Sequence, residues 1–477
     1  MLSPYRVLDL TNERGQLCGR ILGDLGADVV LVEPPGGSRS RRGPFYKDEP
    51  HPDRSLYFWA FNRNKRGITL DLESADDRDK LKRLIADADF LIESETPGYL
   101  DERGLGYEDL SAINPALIYI SISAFGRGGP KAKYAESDLT VAAAGGPLLL
   151  TGDADRPPVR ITLPQAYLHA SGDAAAAALI AHHERVRSGL GQHIDVSAQQ
   201  SVAMAAFSQP LVAGLRATGV RRMGGGAKAG PIAARQVWPA RDGYVVLVLW
   251  FGAAIGLATS RLMQCVFEHG FCDQATRDRD WATYDVRLIN GEVPIEEYEQ
   301  LNLAVERFTR SLTKAELLKL ALERALLIAP VATIDEVSAS PQLAARDYWC
   351  AMPHQEVGAE IRYPGPFAKF SETPIVYRRR PPAVGEHNQE ILNVEPKAPL
   401  GREIARSSSN TSELPLKGLK VVDLFWAMAG PASTRALADY GATVVRVESS
   451  RKLDTCRTIG PYIGNQTGIE NSGILSI

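Results

Sequence analysis

The chain has 477 residues, of which 44% are hydrophobic, so it can build two or three domains with buried cores. Its 54 basic and 57 acidic residues give a net charge of -3, which excludes an overall basic surface for nucleic acid. No apolar run reaches the roughly 20 residues of a membrane span, so we expect no membrane partner.

The N-terminus and the cysteines point to one compartment. The opening residues lack the basic region and the apolar region of a signal peptide. The five cysteines are sparse and include no CxxC pair, which favours a reducing environment. We therefore expect a cytoplasmic protein.

Residues 1–200 alternate between short apolar runs and helical patterns. The apolar runs predict strands at 6–10, 27–35, 68–72, 89–94 and 116–126. Helices are predicted between the first two strands, at 76–88, and over the alanine-rich stretch at 171–189. Strands that alternate with helices are typical of a parallel sheet with crossover helices. This part of the chain therefore predicts a large, doubly wound α/β domain.

The pattern changes after the glycine-rich stretch 223–230, which predicts a loop. A strand at 243–250 and helices rich in Leu, Glu and Arg follow, which predicts a smaller α+β domain. Strand-and-turn composition returns at 361–374. The expected division is a large domain over 1–222, a small domain over 223–330, a return segment to the large domain over 331–400, a serine-rich linker over 401–417 and a further unit over 418–477.

The segment 420–448 repeats the segment 6–33. Eight of the thirteen residues from 21 to 33 recur 415 positions later, the last being Glu33, which is matched by Glu448. Arg42 recurs as Arg457 at the same distance. So long a period indicates a duplicated domain rather than a solenoid. A lone strand–helix–strand piece buries little apolar surface, so we predict that 418–477 begins an incomplete second copy of the domain.

Several motifs follow one another in a fixed order along the chain. They are VLDL and LGADVVLVEPPGG near the start, NRNKRGITLDL at 62–72, the stretch 97–130, GLGQHIDVS at 189–197 and VGEHN at 384–388. Together they resemble the family III CoA-transferases, the CaiB/BaiF group that includes formyl-CoA transferase and carnitine CoA-transferase. The resemblance covers residues 5–392 and resumes at 418–477, which suggests a tandem-domain type with a truncated second copy.

The resemblance implies the interlocking-ring CoA-transferase fold, in which two chains or two halves of a tandem chain thread through each other. We therefore expect an interlocked homodimer or a pseudo-dimer within one chain. It also implies transfer of CoA from an acyl-CoA to a carboxylic acid, with CoA as a substrate and no permanently bound cofactor. In this chemistry an aspartate attacks the thioester, and the resulting mixed anhydride becomes an enzyme–CoA thioester. A carboxylate is a weak nucleophile in water, so the reaction needs it placed and desolvated.

The position of the nucleophile departs from the family pattern. In the family the aspartate lies 25 residues before the glutamine of a GRGQ-like motif. That glutamine is Gln192 here, so the matching residue is Tyr167. A phenol has a pKa near 10 and cannot form the mixed anhydride. Asp173 faces another side of the same helix, and His169 cannot replace the carboxylate, so we expect no catalytic residue in the first copy.

The expected CoA-binding residues are divided between the two copies. Arg42 and Leu70 are retained in the first copy, although Leu70 also fits a core position and Arg42 a solvated loop. An arginine that lies near the CoA phosphates in the family is Glu102 here, and an acidic residue repels phosphate. The second copy keeps the turn that opens the CoA pocket and the arginine of the first copy, at Ala429, Gly430, Pro431 and Arg457.

These features predict a CoA-transferase chain whose first domain is a degenerate, non-catalytic partner. An inactive scaffold or truncated remnant is the alternative. A 2-methylacyl-CoA racemase also needs a histidine base at the position of Ser137, so it would lack both of its bases. No metal site is expected, because neither the pair His182 and His183 nor the stretch 265–272 has partners at ligand spacing.

Overall fold

The structure is a computed structural model of the full chain. It describes residues 1–206, 212, 214–217, 219, 221–229, 232–252, 255–393, 413–427, 429–449, 454, 457, 462–466 and 469–471. Most of the predicted linker and the last residues of the predicted second copy lie outside the described residues.

A six-stranded parallel sheet forms the centre of the large domain. Its strands are β1 Arg6–Leu10, β2 Asp28–Glu33, β3 Lys65–Thr69, β4 Phe90–Glu93, β5 Ile118–Ser123 and β6 His193–Ser197. Their order is β3-β2-β1-β4-β5-β6, and every neighbouring pair runs parallel. The strand order reverses between β1 and β4, which opens a crevice at the carboxyl ends of the strands. The predicted doubly wound α/β class is confirmed.

Helices cover both faces of this sheet. They are α1 Gln16–Asp24, α2 Leu56–Asn62, α3 Ala75–Ile85, α4 Tyr107–Ile113, α5 Asp138–Gly145, α6 Ala166–Ser188 and α7 Ala198–Ala205. One core packs the alanine-rich side of α6 and the apolar side of α1 against Val7, Phe90 and Ile120. A second core packs α3 and α4 on the other face through Leu81 and Leu110. The central strands β1, β2, β4 and β5 are therefore buried on both sides, as their short apolar runs predict.

Two strands of this sheet differ from the sequence prediction. The third strand was expected at 68–72 but begins at Lys65, because a lysine there is stabilised by a buried acidic partner. The sixth strand, His193–Ser197, lies in a motif of mixed polarity that carries no apolar run. The strand at 6–10 is confirmed with its predicted bounds, and the strands at 27–35, 89–94 and 116–126 are confirmed with shorter bounds.

The middle of the chain is built around antiparallel strands. The strands are β7 Arg221–Met223, β8 Gly226–Ala229, β9 Ile232–Arg235, β10 Val237–Ala240, β11 Gly243–Leu247 and β12 Ile328–Pro330. The helices are α8 Gly256–Glu268, α9 Gln274–Arg277, α10 Tyr284–Ile289, α11 Ile295–Ser311 and α12 Lys314–Arg324. Trp238, Trp281 and Phe308 are buried in the shared core of this part. The predicted strand at 243–250 and the helices after it are confirmed.

The predicted loop at 223–230 is wrong, because Arg221–Met223 and Gly226–Ala229 form a β-hairpin; residue 230 lies outside the described residues. Met223 pairs with Gly226 across a two-residue turn, and Gly225 has a φ of +70°. A Cβ at Gly226 would lie 2.3 Å from the carbonyl oxygen of Ala234 on the next strand. The glycines therefore permit a tight turn and a close strand pairing here rather than a loop.

The return segment leads back to the large sheet. Its elements are α13 Ile334–Ser338, α14 Pro341–Ala345, β13 Trp349–His354, β14 Ala359–Pro364 and α15 Asn388–Leu392. The N–H of Asn64 donates to the carbonyl of Arg379, and the N–H of His387 donates to the carbonyl of Gly67, each at 2.9 Å. The segment therefore lies along the outer edge of β3. The expected domain division over 1–400 stays a prediction.

A separate strand–helix–strand piece follows, and we call residues 418–449 the C-terminal unit. Its elements are β15 Lys420–Asp423, α16 Ala429–Asp439 and β16 Thr443–Arg446, and the two strands run parallel. Lys420 pairs with Thr443 as Arg6 pairs with Asp28, with one more residue between the paired positions. The sequence repeat is therefore also a repeat of local structure. Across the described chain, no helix has the length and apolar character that crossing a bilayer requires.

A buried ion pair joins β1, α1 and β3. The ammonium of Lys65 lies 2.7 Å from Asp9 and donates to the carbonyl of Gln16 and the side chain of Asn62, each at 2.9 Å. Lys65 and Asp9 are both 0% exposed. Burial lowers the pKa of Lys65, and the negative charge of Asp9 opposes that shift. A Cβ at Gly19 would lie 2.1 Å from Asp9, so the helix needs a glycine at this point.

We expect Lys65→Met to lower the free energy of unfolding by about 3–5 kcal/mol, because it leaves Asp9 buried without its cation. Urea unfolding followed by circular dichroism measures this change. Lys80→Met is the matched control: Lys80 pairs with Asp77 at the surface, and such pairs contribute at most about 1 kcal/mol. Equal unfolding midpoints for the two variants would contradict the structural role of the ion pair.

Candidate active site

The crevice at the carboxyl ends of the large sheet contains the position expected for the nucleophile. Tyr167 lies in the first turn of α6 and is 7% exposed. Its hydroxyl donates to Glu136 at 2.5 Å, in the segment just before α5. Arg14, which follows the end of β1, contacts the other carboxylate oxygen of Glu136 at 2.6 Å. Three side chains from distant parts of the sequence thus form one row of polar contacts.

These contacts, together with burial, determine the pKa of the Tyr167 phenol. Burial raises the pKa of the phenol, and the hydrogen bond to Glu136 raises it further. The phenol is therefore protonated at neutral pH. The carboxylate of Glu136 already accepts one bond on each oxygen, from a neutral and a charged donor. Neither group offers a free, negatively charged oxygen to a thioester.

The two neighbouring candidates on α6 lie outside this cluster. Asp173 and His169 are exposed, whereas Tyr167 is buried. Six residues advance a helix by about 240°, so Asp173 faces away from the crevice. That neither residue replaces the nucleophile stays a prediction.

Ser137, at the position of the racemase histidine, has a structural role. Its hydroxyl accepts from the N–H of Thr140 and caps the N-terminus of α5. The side chain of Thr140 accepts from the N–H of Ser137 in return, at 2.8 Å. Asp138, next in sequence, accepts from the N–H of Ala166 at 2.8 Å and so ties α5 to the start of α6. This turn positions Glu136 against Tyr167.

A second polar cluster, formed by side chains of β4, β5 and β6 and of the loop after β5, was not predicted. Glu93 is 2% exposed and accepts from the N–H of Glu95 at 2.7 Å. Ser121 contacts both Glu93 and the ring of His193, the latter at 3.0 Å. Arg127 lies 3.5 Å from Glu93. Only strand pairing brings these residues together, so no local sequence signal could have identified them.

Burial gives Glu93 an unusual protonation behaviour. Desolvation raises the pKa of its carboxyl group to about 7, while the contacts with Ser121, the N–H of Glu95 and Arg127 act in the opposite direction. Burial raises the pKa of Glu95 as well. Burial therefore acts on both carboxyl groups of this turn in the same direction, towards the protonated form.

The expected CoA-binding residues of the first copy differ in exposure. Arg42 is exposed, and its guanidinium has no ion pair within the described residues, so it is available to an anion. Leu70 is 2% exposed and packs in the core with Ile68 and Leu81, which supports its structural role. Glu102 is exposed in the short helical turn Asp101–Arg103 after β4. Of the three side chains, only that of Arg42 suits a bound phosphate.

The expected residues of the C-terminal unit lie at the start of α16 and beyond β16. Ala429, Gly430 and Pro431 form the first turn of α16. A Cβ at Gly430 would lie 2.1 Å from the ring of Phe425, so this turn needs glycine. Coenzyme A binding by these residues stays a prediction.

The sequence match of Arg42 with Arg457 is corrected by the contacts. Arg457 contacts both oxygens of Glu448, each at 2.6 Å. In the first copy Arg41, not Arg42, makes this bidentate contact with Glu33, at 2.8 and 2.6 Å. The structural counterpart of Arg457 is therefore Arg41. Its guanidinium is engaged with a carboxylate rather than available to an anion.

The chain matches the family model described as CoA-transferase family III at residues 2–388 and again at 416–472. Succinyl-CoA:(R)-benzylsuccinate CoA-transferase subunit BbsE of Thauera aromatica is 37% identical over 393 residues, 82% of this chain and 93% of the relative. Succinyl-CoA–D-citramalate CoA-transferase of Chloroflexus aurantiacus is 33% identical over 82% of this chain and 93% of the relative. Mouse succinyl-CoA:glutarate CoA-transferase is 30% identical over 82% of this chain and 85% of the relative.

Solved structures give the same result. A CaiB/BaiF family protein from Brucella suis superposes with a TM-score of 0.68 at 31% identity, covering 82% of this chain and 98% of that one. Rv3272 from Mycobacterium tuberculosis superposes with a TM-score of 0.66 at 26% identity, with the same coverage of both chains.

We expect Glu93→Gln to reduce the pH dependence of stability between pH 5 and pH 7. The folded state holds a proton on Glu93 that the unfolded state releases near pH 4.5, so the wild-type protein loses stability as the pH rises through this range. A folded pKa of about 7 corresponds to a loss of up to about 3 kcal/mol.

Thermal unfolding at a series of pH values tests this expectation. Glu102→Gln is the matched control, since it neutralises an exposed carboxylate of the same region. Identical pH dependence for wild type and Glu93→Gln would show that Glu93 is ionised in the folded state across the whole range.

Proposed function

Since the chain belongs to CoA-transferase family III, we propose that it takes part in CoA transfer from an acyl-CoA to a carboxylic acid as a non-catalytic domain. Its relatives are CoA-transferases, which use CoA thioesters as substrates without a permanently bound cofactor. Three of the similar proteins are named for succinyl-CoA and for benzylsuccinate, D-citramalate or glutarate. We therefore propose succinyl-CoA as the donor and a small dicarboxylic acid as the acceptor.

The observation that carries this proposal is the contact between Tyr167 and Glu136. Transfer through an enzyme anhydride needs a free carboxylate that attacks the thioester carbon and expels CoA as a thiolate. The thiolate then attacks the enzyme acyl group, releases the donor acid and forms an enzyme–CoA thioester. The acceptor carboxylate repeats both steps in reverse. A protonated phenol hydrogen-bonded to Glu136 cannot begin this sequence.

The reacting aspartate then has to come from another family III domain. We propose that residues 416–472 belong to such a domain, in line with the second match to the family model. The first domain would pair with it as one half of a pseudo-dimer and would supply binding surface rather than the nucleophile. The name of the Thauera relative, which calls it a subunit, is consistent with family members that act in combination. Arg42 is the exposed cation that could contact a CoA phosphate.

We expect the isolated 477-residue chain to show no exchange of label between succinyl-CoA and succinate above background, because it offers no free carboxylate at the expected position. The measurement is label exchange, followed by borohydride reduction and peptide mass spectrometry. Borohydride reduces an enzyme–CoA thioester to an alcohol, so the mass change identifies the carboxylate that reacts.

Tyr167→Phe is the matched variant, because it removes the hydroxyl and keeps the ring. Exchange by the wild-type chain that disappears in Tyr167→Phe would assign Tyr167 a catalytic role and refute the proposal. Exchange by both proteins, with a reduced Asp or Glu elsewhere in the chain, would refute it equally. We expect neither label exchange nor a reduced carboxylate, while the chain still binds CoA. Failure to bind CoA would favour an inactive scaffold.

A further inference from the structure

Arg127 is shared between two carboxylates that differ in their access to water. Its guanidinium contacts Asp101 at 2.5 Å and lies 3.5 Å from Glu93. The side chain of Asp101 is 44% exposed, whereas that of Glu93 is buried. A charge-assisted hydrogen bond is about 2.7–2.9 Å long, so Arg127 is bonded to the exposed carboxylate and only close to the buried one.

The contact with Asp101 joins two loops at the carboxyl edge of the large sheet. Asp101 begins the short helical turn Asp101–Arg103 after β4, and Arg127 lies in the loop that follows β5. The N–H of Arg127 donates to both carboxylate oxygens of Asp195 on β6, at 2.9 and 3.2 Å. The backbone of Arg127 is therefore fixed to the sheet, and its side chain ties the turn after β4 to the loop after β5.

The two carboxylates compete for this cation on unequal terms. A buried carboxylate that loses its proton needs a cation to offset its desolvation, whereas an exposed one is stabilised by water. Glu93 accepts from the N–H of Glu95 at 2.7 Å and contacts the hydroxyl of Ser121, and neither donor is charged. In the described part of the chain, Arg127 is the only cation within ion-pair distance of Glu93. The ionised form of Glu93 therefore draws the guanidinium inward, away from Asp101.

The other titratable groups around this cluster do not take the place of Arg127. Glu95 is itself acidic, and burial raises its pKa. Burial lowers the pKa of His193, which keeps its ring neutral at neutral pH. Burial raises the pKa of Tyr119, so its phenol is neutral as well. The remaining charged groups near Arg127 and His193 are acidic, namely Asp101, Glu108 and Asp195.

We propose that Arg127 is a proton-controlled link between the turn after β4 and the loop after β5. While Glu93 carries a proton, Arg127 stays bonded to Asp101 and holds the turn against the loop. When Glu93 loses the proton, the guanidinium closes on Glu93, and the turn is released to water. Since desolvation raises the pKa of Glu93 to about 7, the change falls near neutral pH. The link lies within the large domain and is independent of CoA transfer.

Hydrogen–deuterium exchange of the full-length chain, measured by mass spectrometry, tests this link. The amides of residues 102–105 are hydrogen-bonded within the turn, so a peptide that covers them reports its release. Exchange times at pH values of about 5.5 and 8.5, on either side of the expected change, are scaled for the intrinsic exchange rate. We expect protection of this peptide to fall about threefold at the higher pH, because one ion pair is lost. Peptides from α11 are the internal reference and keep their protection.

Three variants separate the link from general effects of pH. Glu93→Gln stays neutral, so the turn should keep its high protection at both pH values. Asp101→Asn removes the link from the exposed side, so protection should be low at both, and this surface variant carries the test if Glu93→Gln fails to fold. Glu102→Gln is the matched control, because it neutralises the exposed carboxylate next to Asp101 and should keep the wild-type pH dependence. Equal protection of the wild-type turn at both pH values, or a pH dependence that persists in Glu93→Gln or Asp101→Asn, would overturn the proposal.

Discussion

The ion pair between Lys65 and Asp9 determines how the centre of the large domain can be built. Both groups are fully buried, so each needs a partner of opposite charge and further hydrogen bonds to offset desolvation. The carboxylate also accepts from the N–H and the hydroxyl of Thr11, at 3.0 and 2.6 Å. Gly19 is required because any larger residue would collide with the carboxylate. One charge pair thus holds the end of β1, the middle of α1 and the start of β3 in register.

The geometry of the crevice follows from this anchor. Thr11 is fixed to Asp9, and Arg14 lies only three residues further along the same loop, where it reaches Glu136. Glu136 is held in turn by the capped start of α5, and it accepts the hydroxyl of Tyr167. Arg14 and Tyr167 each contact one oxygen of Glu136. The carboxylate of Glu136 is therefore held by these contacts rather than activated as a nucleophile. Nucleophilic attack by a carboxylate needs an accessible oxygen, and the two oxygens of Glu136 contact Tyr167 and Arg14.

The sequence predicts the parts of this structure that depend on local patterns. Apolar runs locate β1, β4 and β5. That Tyr167 stands at the position of the nucleophile stays a prediction from motif spacing. The start of β3 was missed because Lys65 looks like a surface residue until Asp9 is seen beside it. The polar cluster around Glu93 and the partners of Tyr167 join residues far apart in sequence, so no window of sequence contains them. The match of Arg42 with Arg457 failed because loop length, not position in the sequence, decides which arginine reaches the glutamate.

A comparison of β1–α1–β2 with β15–α16–β16 shows which contacts are local and which come from distant parts of a domain. Both keep a bidentate glutamate–arginine contact beyond the second strand, and both bury an aspartate at the end of the first. Where the first piece has Gly19 and a distant lysine, the C-terminal unit has Thr434, whose hydroxyl reaches Asp423 from its own helix. Hydrogen bonds can therefore be supplied within about thirty residues, whereas charge neutralisation and apolar cover require elements that lie much further along a domain. The exposed valines of β15 and β16 follow from that difference in range, because local polar contacts maintain the geometry of the piece but cannot remove its apolar face from water.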